Sequence, residues 1–96
     1  MAAGDVYIAG VFTVPQDNYM YLRPPVGEEI VIHNIGHSQS AVLEFFDGTN
    51  AVVMDTVGDG SSWVGMYLHC TYDKYYRVKN TSVLDSLMCA DGMKTK

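Results

Sequence analysis

The chain has 96 residues and a mass of 10.6 kDa, which is room for one domain, because a second hydrophobic core would starve the first. Hydrophobic residues make up 48% of it, ample material for a core, so an intrinsically disordered chain is excluded. Six Lys plus Arg against eleven Asp plus Glu leave a net charge of -5, which argues against phosphate-driven binding of DNA or RNA and against anchoring to an anionic membrane surface.

Turn residues cut the sequence into short blocks rich in Val, Ile, Tyr and Phe with two-residue alternation, and these read as strands. The first runs from Asp5 to Val14 and stops at Pro15 and the polar turn Gln16-Asp17-Asn18. Tyr19 to Arg23 is the second. Pro24-Pro25-Val26-Gly27 interrupts any ladder, since two successive residues lack a backbone donor, and Glu29 to Ile35 is the third. After the connection Gly36-His37-Ser38-Gln39-Ser40, the runs AVLEFF and AVVMDT between Ala41 and Thr56 flank Asp47-Gly48-Thr49-Asn50, a loop of hairpin length. Ser62 to Thr71 is the longest strand, Tyr72-Asp73-Lys74 a tight turn, and Tyr75 to Asn80 the seventh strand. Val83 to Ala90 reads as the eighth, although Val83, Leu84, Leu87 and Met88 also fall at helical offsets, so a terminal helix competes there.

Seven or eight short strands with turns roughly every ten residues, joined by connections too short for parallel crossovers, specify an all-β fold. The expectation is a single antiparallel β-sandwich, jelly-roll-like, spanning residues 1–96, with 1–4 and 91–96 as flexible or partner-binding arms. No signal-peptide pattern opens the chain and no run of about 20 apolar residues offers a membrane span, so a protein made in the cytoplasm and not secreted is expected. Cys70 and Cys89 lack CxxC spacing and read as two free, half-buried thiols. Asn80-Thr81-Ser82 fits a glycosylation acceptor, but without a secretory signal no glycan is expected.

Alternation assigns the faces. In the sixth strand Val64, Met66, Leu68 and Cys70 should face the core, leaving Trp63, Gly65, Tyr67, His69 and Thr71 outward. In the seventh, Tyr76 and Val78 should face in and Tyr75, Arg77 and Lys79 out; in the second, Met20 and Leu22 in and Tyr19, Tyr21 and Arg23 out. Trp, Tyr and Arg are the residues enriched at protein interfaces, so Tyr19, Tyr21, Arg23, Trp63, Tyr67, Tyr75 and Arg77 form the candidate protein interface. The competing reading is that Tyr suits any sheet face and that loops or termini cover these rings.

Catalysis has little support: the three histidines sit in unlike contexts and no nucleophile elbow accompanies them. His33, His37 and His69 read as structural, and no metal or cofactor is expected. Asp47, Asp55 and Asp59 lie in or near glycine-containing loops without a calcium-loop pattern and read as turn formers, and Glu28-Glu29 reads as a solvated strand entrance rather than an acid–base pair. Two readings of the aromatic surface therefore stand: an assembly protein that packs against copies of itself and a larger scaffold, or a small carbohydrate-binding module whose rings stack on sugars.

The order Tyr21-Leu22-Arg23-Pro24-Pro25-Val26-Gly27-Glu28-Glu29, then Ile32-His33-Asn34-Ile35, Phe46-Asp47-Gly48-Thr49 and Tyr75-Tyr76-Arg77-Val78-Lys79-Asn80-Thr81 resembles small β-rich virion proteins of tailed bacteriophages, most closely the capsid decoration, or cement, proteins. The likeness spans roughly Tyr21 to Thr81 and does not separate a head cement protein from a minor tail or connector protein. It implies a non-enzymatic chain that assembles as a homotrimer on the outside of a phage head, binds the major capsid protein and stabilises the shell by contacts repeated through symmetry. Tyr19, Tyr21, Trp63, Tyr67, Tyr75 and Arg77 would then form subunit contacts, and Trp63→Ala should weaken association without unfolding the monomer.

Overall fold

The computed structural model describes residues 4–96; the part of the expected arm at Met1–Ala3 lies outside the described residues. Among the described residues nine strands and no helix are formed: β1 (Val6–Val14), β2 (Tyr19–Leu22), β3 (Ile30–His37), β4 (Ala41–Phe46), β5 (Ala51–Val57), β6 (Ser61–Trp63), β7 (Leu68–Cys70), β8 (Tyr75–Asn80) and β9 (Ser86–Lys94). They make two sheets, one ordered β1-β9-β3-β6 with β7 also on the β3 edge, the other ordered β2-β8-β4-β5, and every pairing is antiparallel. Counting β6 and β7 as one interrupted strand leaves eight positions, and their order is that of a jelly roll. The expected antiparallel sandwich is thus the fold.

The local causes are those of the turns. Asn18 donates its amide to the Pro15 carbonyl at 3.1 Å, closing the β1–β2 turn, and Glu28 does the same to Pro25 at 3.1 Å before β3. The hairpin between β4 and β5 is held by the Asp47 carboxylate, which accepts the amides of Thr49 at 2.9 Å and Asn50 at 2.7 Å. Those two bonds hold the Asp47 carboxyl below the usual carboxylate range.

Between the sheets lie Met20, Leu22, Ile30, Ile32, Ile35, Leu43, Val78 and Met88, with Tyr7, Trp63, Met66 and Tyr76 packed around them. The buried polar residue Asn80 is fully satisfied: its amide donates to the carbonyls of Val14 at 2.9 Å and Leu84 at 2.7 Å, and its carbonyl accepts from Ser82 at 2.9 Å. It fastens the β8–β9 connection to the end of β1.

Two expectations are corrected. The sixth strand does not run unbroken from Ser62 to Thr71, because Gly65 takes a φ of +65°, a conformation that ends a ladder and resets which side chains face in. The segment Asp91–Lys96 is no arm, since β9 continues to Lys94 between β1 and β3. The Lys94 stem is buried while its ammonium reaches Glu28 Oε1 at 3.3 Å, and the Thr95 and Lys96 amides bond to the Glu29 carbonyl at 2.9 and 3.2 Å. The helix that competed for Val83–Met88 is absent: Ser86 onward is strand.

Candidate protein-interaction surfaces

The outer face of the four-stranded sheet gathers most of the residues singled out in the sequence. Register places Tyr19 opposite Lys79, Tyr21 opposite Arg77, Glu44 opposite Arg77 and Phe46 opposite Tyr75, all on the side away from the core. Arg77 is the hub. Its Nε donates to Glu44 Oε1 at 2.9 Å while its guanidinium lies 4.3 Å from the Tyr19 ring centre and 4.4 Å from that of Phe46. Arg23 forms a second stack, 3.7 Å from the Tyr72 ring and 5.1 Å from Tyr75, with Nε bonded to the Tyr72 carbonyl at 2.7 Å. Ring pairs Tyr19–Tyr21 at 5.7 Å, Tyr21–Tyr75 at 6.3 Å and Phe46–Tyr75 at 5.7 Å join the two stacks into one layer.

Each cation–π contact contributes about 0.5–1 kcal/mol at an exposed site, so the value of the layer lies in its rigidity more than its strength. Tyr19, Tyr21, Arg23, Tyr75 and Arg77 are thereby brought together as expected. Tyr75 is nonetheless buried, under Tyr21, Phe46 and Arg23, and only Tyr21 among the tyrosines of β2 and β8 is more than half exposed.

Trp63 and Tyr67 belong elsewhere. Trp63 pairs with the inward Ile35, so it faces the core rather than solvent, and packs 4.7 Å from the His37 ring while its Nε1 donates to Asp55 Oδ2 at 2.6 Å. The outward assignment of Trp63 is overturned, and with it the inward assignment of Val64, which is 71% exposed. The cause is the break at Gly65: alternation counted back through it from Leu68 inverts Trp63 and Val64. Tyr67 is exposed beside His33, with ring centres 6.1 Å apart, and touches none of the aromatic layer.

The sequence reading missed a second surface. On the outer face of the five-stranded sheet, β1 and β9 present Val6, Ile8, Val11, Leu87 and Met93, with the exposed thiol of Cys89 among them. Val6, Ile8 and Val11 are 66%, 71% and 72% exposed, values that mark an uncovered face rather than isolated side chains. A shallow cavity of about 320 Å³ opens there, floored by Gly10, Gly36 and Gly92 and bordered by Asn34 and Asp91, whose side chains bond at 2.8 Å. The available signal was the apolar run of the first strand, but the bulge between Ile8 and Gly10 shifts the alternation in its middle.

The groups with chemical potential are used in structure. His33 Nδ1 lies 2.8 Å from the Met66 carbonyl, His37 Nδ1 2.7 Å from that of Gln39, and His69 Nε2 2.9 Å from Glu29 Oε1. His37 ends β3 rather than sitting in a loop, and it is buried. Cys70 is fully buried, and that burial pushes its thiol up to about 11, whereas Cys89 is exposed; the pair is not half-buried but split between core and surface. Asp55 and Asp59 bond to Trp63 and the Gly60 amide, and Glu28 and Glu29 meet Lys94 and Lys96. Among the described residues no group of three or more His, Cys, Asp or Glu side chains is placed to hold a metal ion. Comparison with protein-family models and with curated proteins finds no match to this chain.

Proposed function

We propose that the protein is a non-enzymatic virion structural protein, a capsid decoration protein that binds the outer surface of a phage head as an oligomer and stabilises the shell. The observation that carries this reading is the uncovered apolar face formed by Val6, Ile8, Val11, Leu87 and Met93. A small chain that leaves such a face in water gains by burying it against another protein, and β-rich rigidity lets the same contact repeat by symmetry. The likeness of Tyr21–Thr81 to cement proteins names the class of partner, a major capsid protein, and the aromatic layer supplies a second, polar face for contacts between copies.

A carbohydrate-binding role draws less support. Sugar stacking needs open ring faces, and guanidinium groups already lie over Tyr19, Phe46 and Tyr72. Density-gradient sedimentation of the lysate in which the protein is naturally made, with mass spectrometry to count copies, tests the proposal. Copies comparable to the main shell protein are expected. A few per particle place the protein in the tail or connector, and absence from particles overturns the virion reading.

A further inference from the structure

The two edge strands of the four-stranded sheet are β2 and β5, and among the described residues neither carries a ladder on its outer side. Native proteins blunt such edges with Lys, Pro or short length. β5 does the reverse over its first half: it is seven residues long, has no Lys or Pro, and exposes Val52, Val53 and Met54 by 59%, 57% and 53%. β2 is short, but a groove of about 400 Å³ runs beside it, lined by Phe12, Val14, Pro15, Tyr19, Met20 and Tyr21. Phe12 points into the sandwich and is still 44% exposed, because nothing described closes that side.

We infer that β5 of one molecule pairs with β2 of the next, a head-to-tail strand joint between copies of this chain; the inference rests on the assembly reading above. Three observations select it over other pairings. The first is direction: the sheet has four antiparallel strands, so its two edges run oppositely, and a rotation axis along the strands sets β5 of one copy antiparallel to β2 of its neighbour. The second is charge. Residues 24–73 contain no Lys or Arg at all, so β5 and its flanking loops offer Asp47, Asp55 and Asp59 alone, while Arg23 directly follows β2 and Lys74, Arg77 and Lys79 lie on β8 and the turn before it.

Like-to-like pairing of β5 with β5 would set those carboxylates against each other, and β2 with β2 would leave the longer, apolar β5 edge uncovered. The third is fit: Val52 lies on the core side of β5, opposite Phe45, and in the joint it reaches the apolar groove beside β2. The alternation that starts with the Asn80 amide bonded to the Asn18 carbonyl at 2.9 Å turns the backbone groups of Met20 and Leu22 toward β8. Those of Tyr19 and Tyr21 are left for the incoming strand.

The test is complementation between two variants of the purified chain. Val53→Lys spoils the β5 edge, and Tyr21→Pro removes an outward amide from β2 at a position where an edge strand tolerates proline. In sedimentation equilibrium the wild type is expected above the 10.6 kDa monomer mass, each variant alone as monomer, and an equal mixture as a dimer, since only one intact joint remains. Arg23→Glu, expected to weaken association at least about tenfold, replaces Tyr21→Pro if Trp63 emission shows the latter unfolded.

A monomeric wild type at every concentration, a mixture that stays monomeric, or a Tyr21→Pro protein that still self-associates through β5 overturns the joint. Particle sedimentation separates this from the function: a monomer that still travels with phage heads removes the joint and keeps the decoration role. An oligomer absent from particles does the opposite.

Discussion

Trp63 ties the two sheets together, standing on β6 with its indole against the core and its Nε1–H on Asp55 of β5. Trp63→Ala is therefore expected to destabilise the monomer by about 2–4 kcal/mol, read as a lower denaturant midpoint, rather than merely to weaken association. Trp63→Phe keeps the packing, loses one bond to a carboxylate, and should cost about 1 kcal/mol. Cys70 gives a pH dependence whose sign is fixed by its burial. The unfolded thiol ionises near the ordinary value of about 8.5–9, while the folded thiol holds its proton to about 11. The native state thus binds more protons across that window, and stability falls as pH rises from about 9 to 11, by about 2–3 kcal/mol in total. Burial also raises Tyr7 and Tyr76, which steepen the loss further above pH 10. In Cys70→Ala the slope between pH 9 and 10 should flatten and the later tyrosine part remain; an unchanged slope below pH 10 refutes the assignment.

Among the elements β9 matters most, because it pairs with β1 along one side and β3 along the other. A Cβ at Gly92 would collide with the backbone carbonyl of Val31, which cannot step aside as a flexible side chain could, so Gly92→Ala should remove more than about 3 kcal/mol or prevent folding. Deleting residues 91–96 should likewise abolish the native near-ultraviolet dichroism, whereas loss of a free arm would leave it intact. The same strand shows what the sequence could and could not reveal. Turn residues such as Pro15-Gln16-Asp17-Asn18 and Asp47-Gly48-Thr49-Asn50 marked the strand ends, so the sandwich and the outward set Tyr19, Tyr21 and Arg23 were legible from local chemistry. Register shifts were not. The bulges between Ile8 and Gly10 and between Ile32 and Asn34, and the turn of the chain at Gly65, each change which side of the sheet a residue occupies, and they are set by packing of distant strands. The polar look of Asp91, Lys94 and Lys96 hid a central strand because their charges are answered by Asn34, Glu28 and Glu29, some 60 residues away in the chain.

At the scale of the molecule, one broad face is apolar and open, the other aromatic and cationic, and the partner-facing role proposed for the first can be isolated. Val11→Glu alters a side chain that touches solvent over most of its surface, so monomer stability should change by less than about 0.5 kcal/mol. Its co-sedimentation with particles should fall at least about tenfold, since a carboxylate would be desolvated without a partner in the contact. Full binding by Val11→Glu would move the contact off this face. The placement of β9 has a further consequence, for the time course of folding. β1 and β3 flank it and are made first, yet they touch no common strand until residues 86–94 have been synthesised. Nearly all pairings in the five-stranded sheet are of long sequence separation, so its closure is slow and late, and a nascent chain carries Val6 and Ile8 of β1 unpaired until β9 is made, while β3 waits only for β6 and β7. The apolar face of β1 and β9 therefore comes into being only after the last strand enters, whereas the sheet β2-β8-β4-β5 is complete once residue 80 has been made.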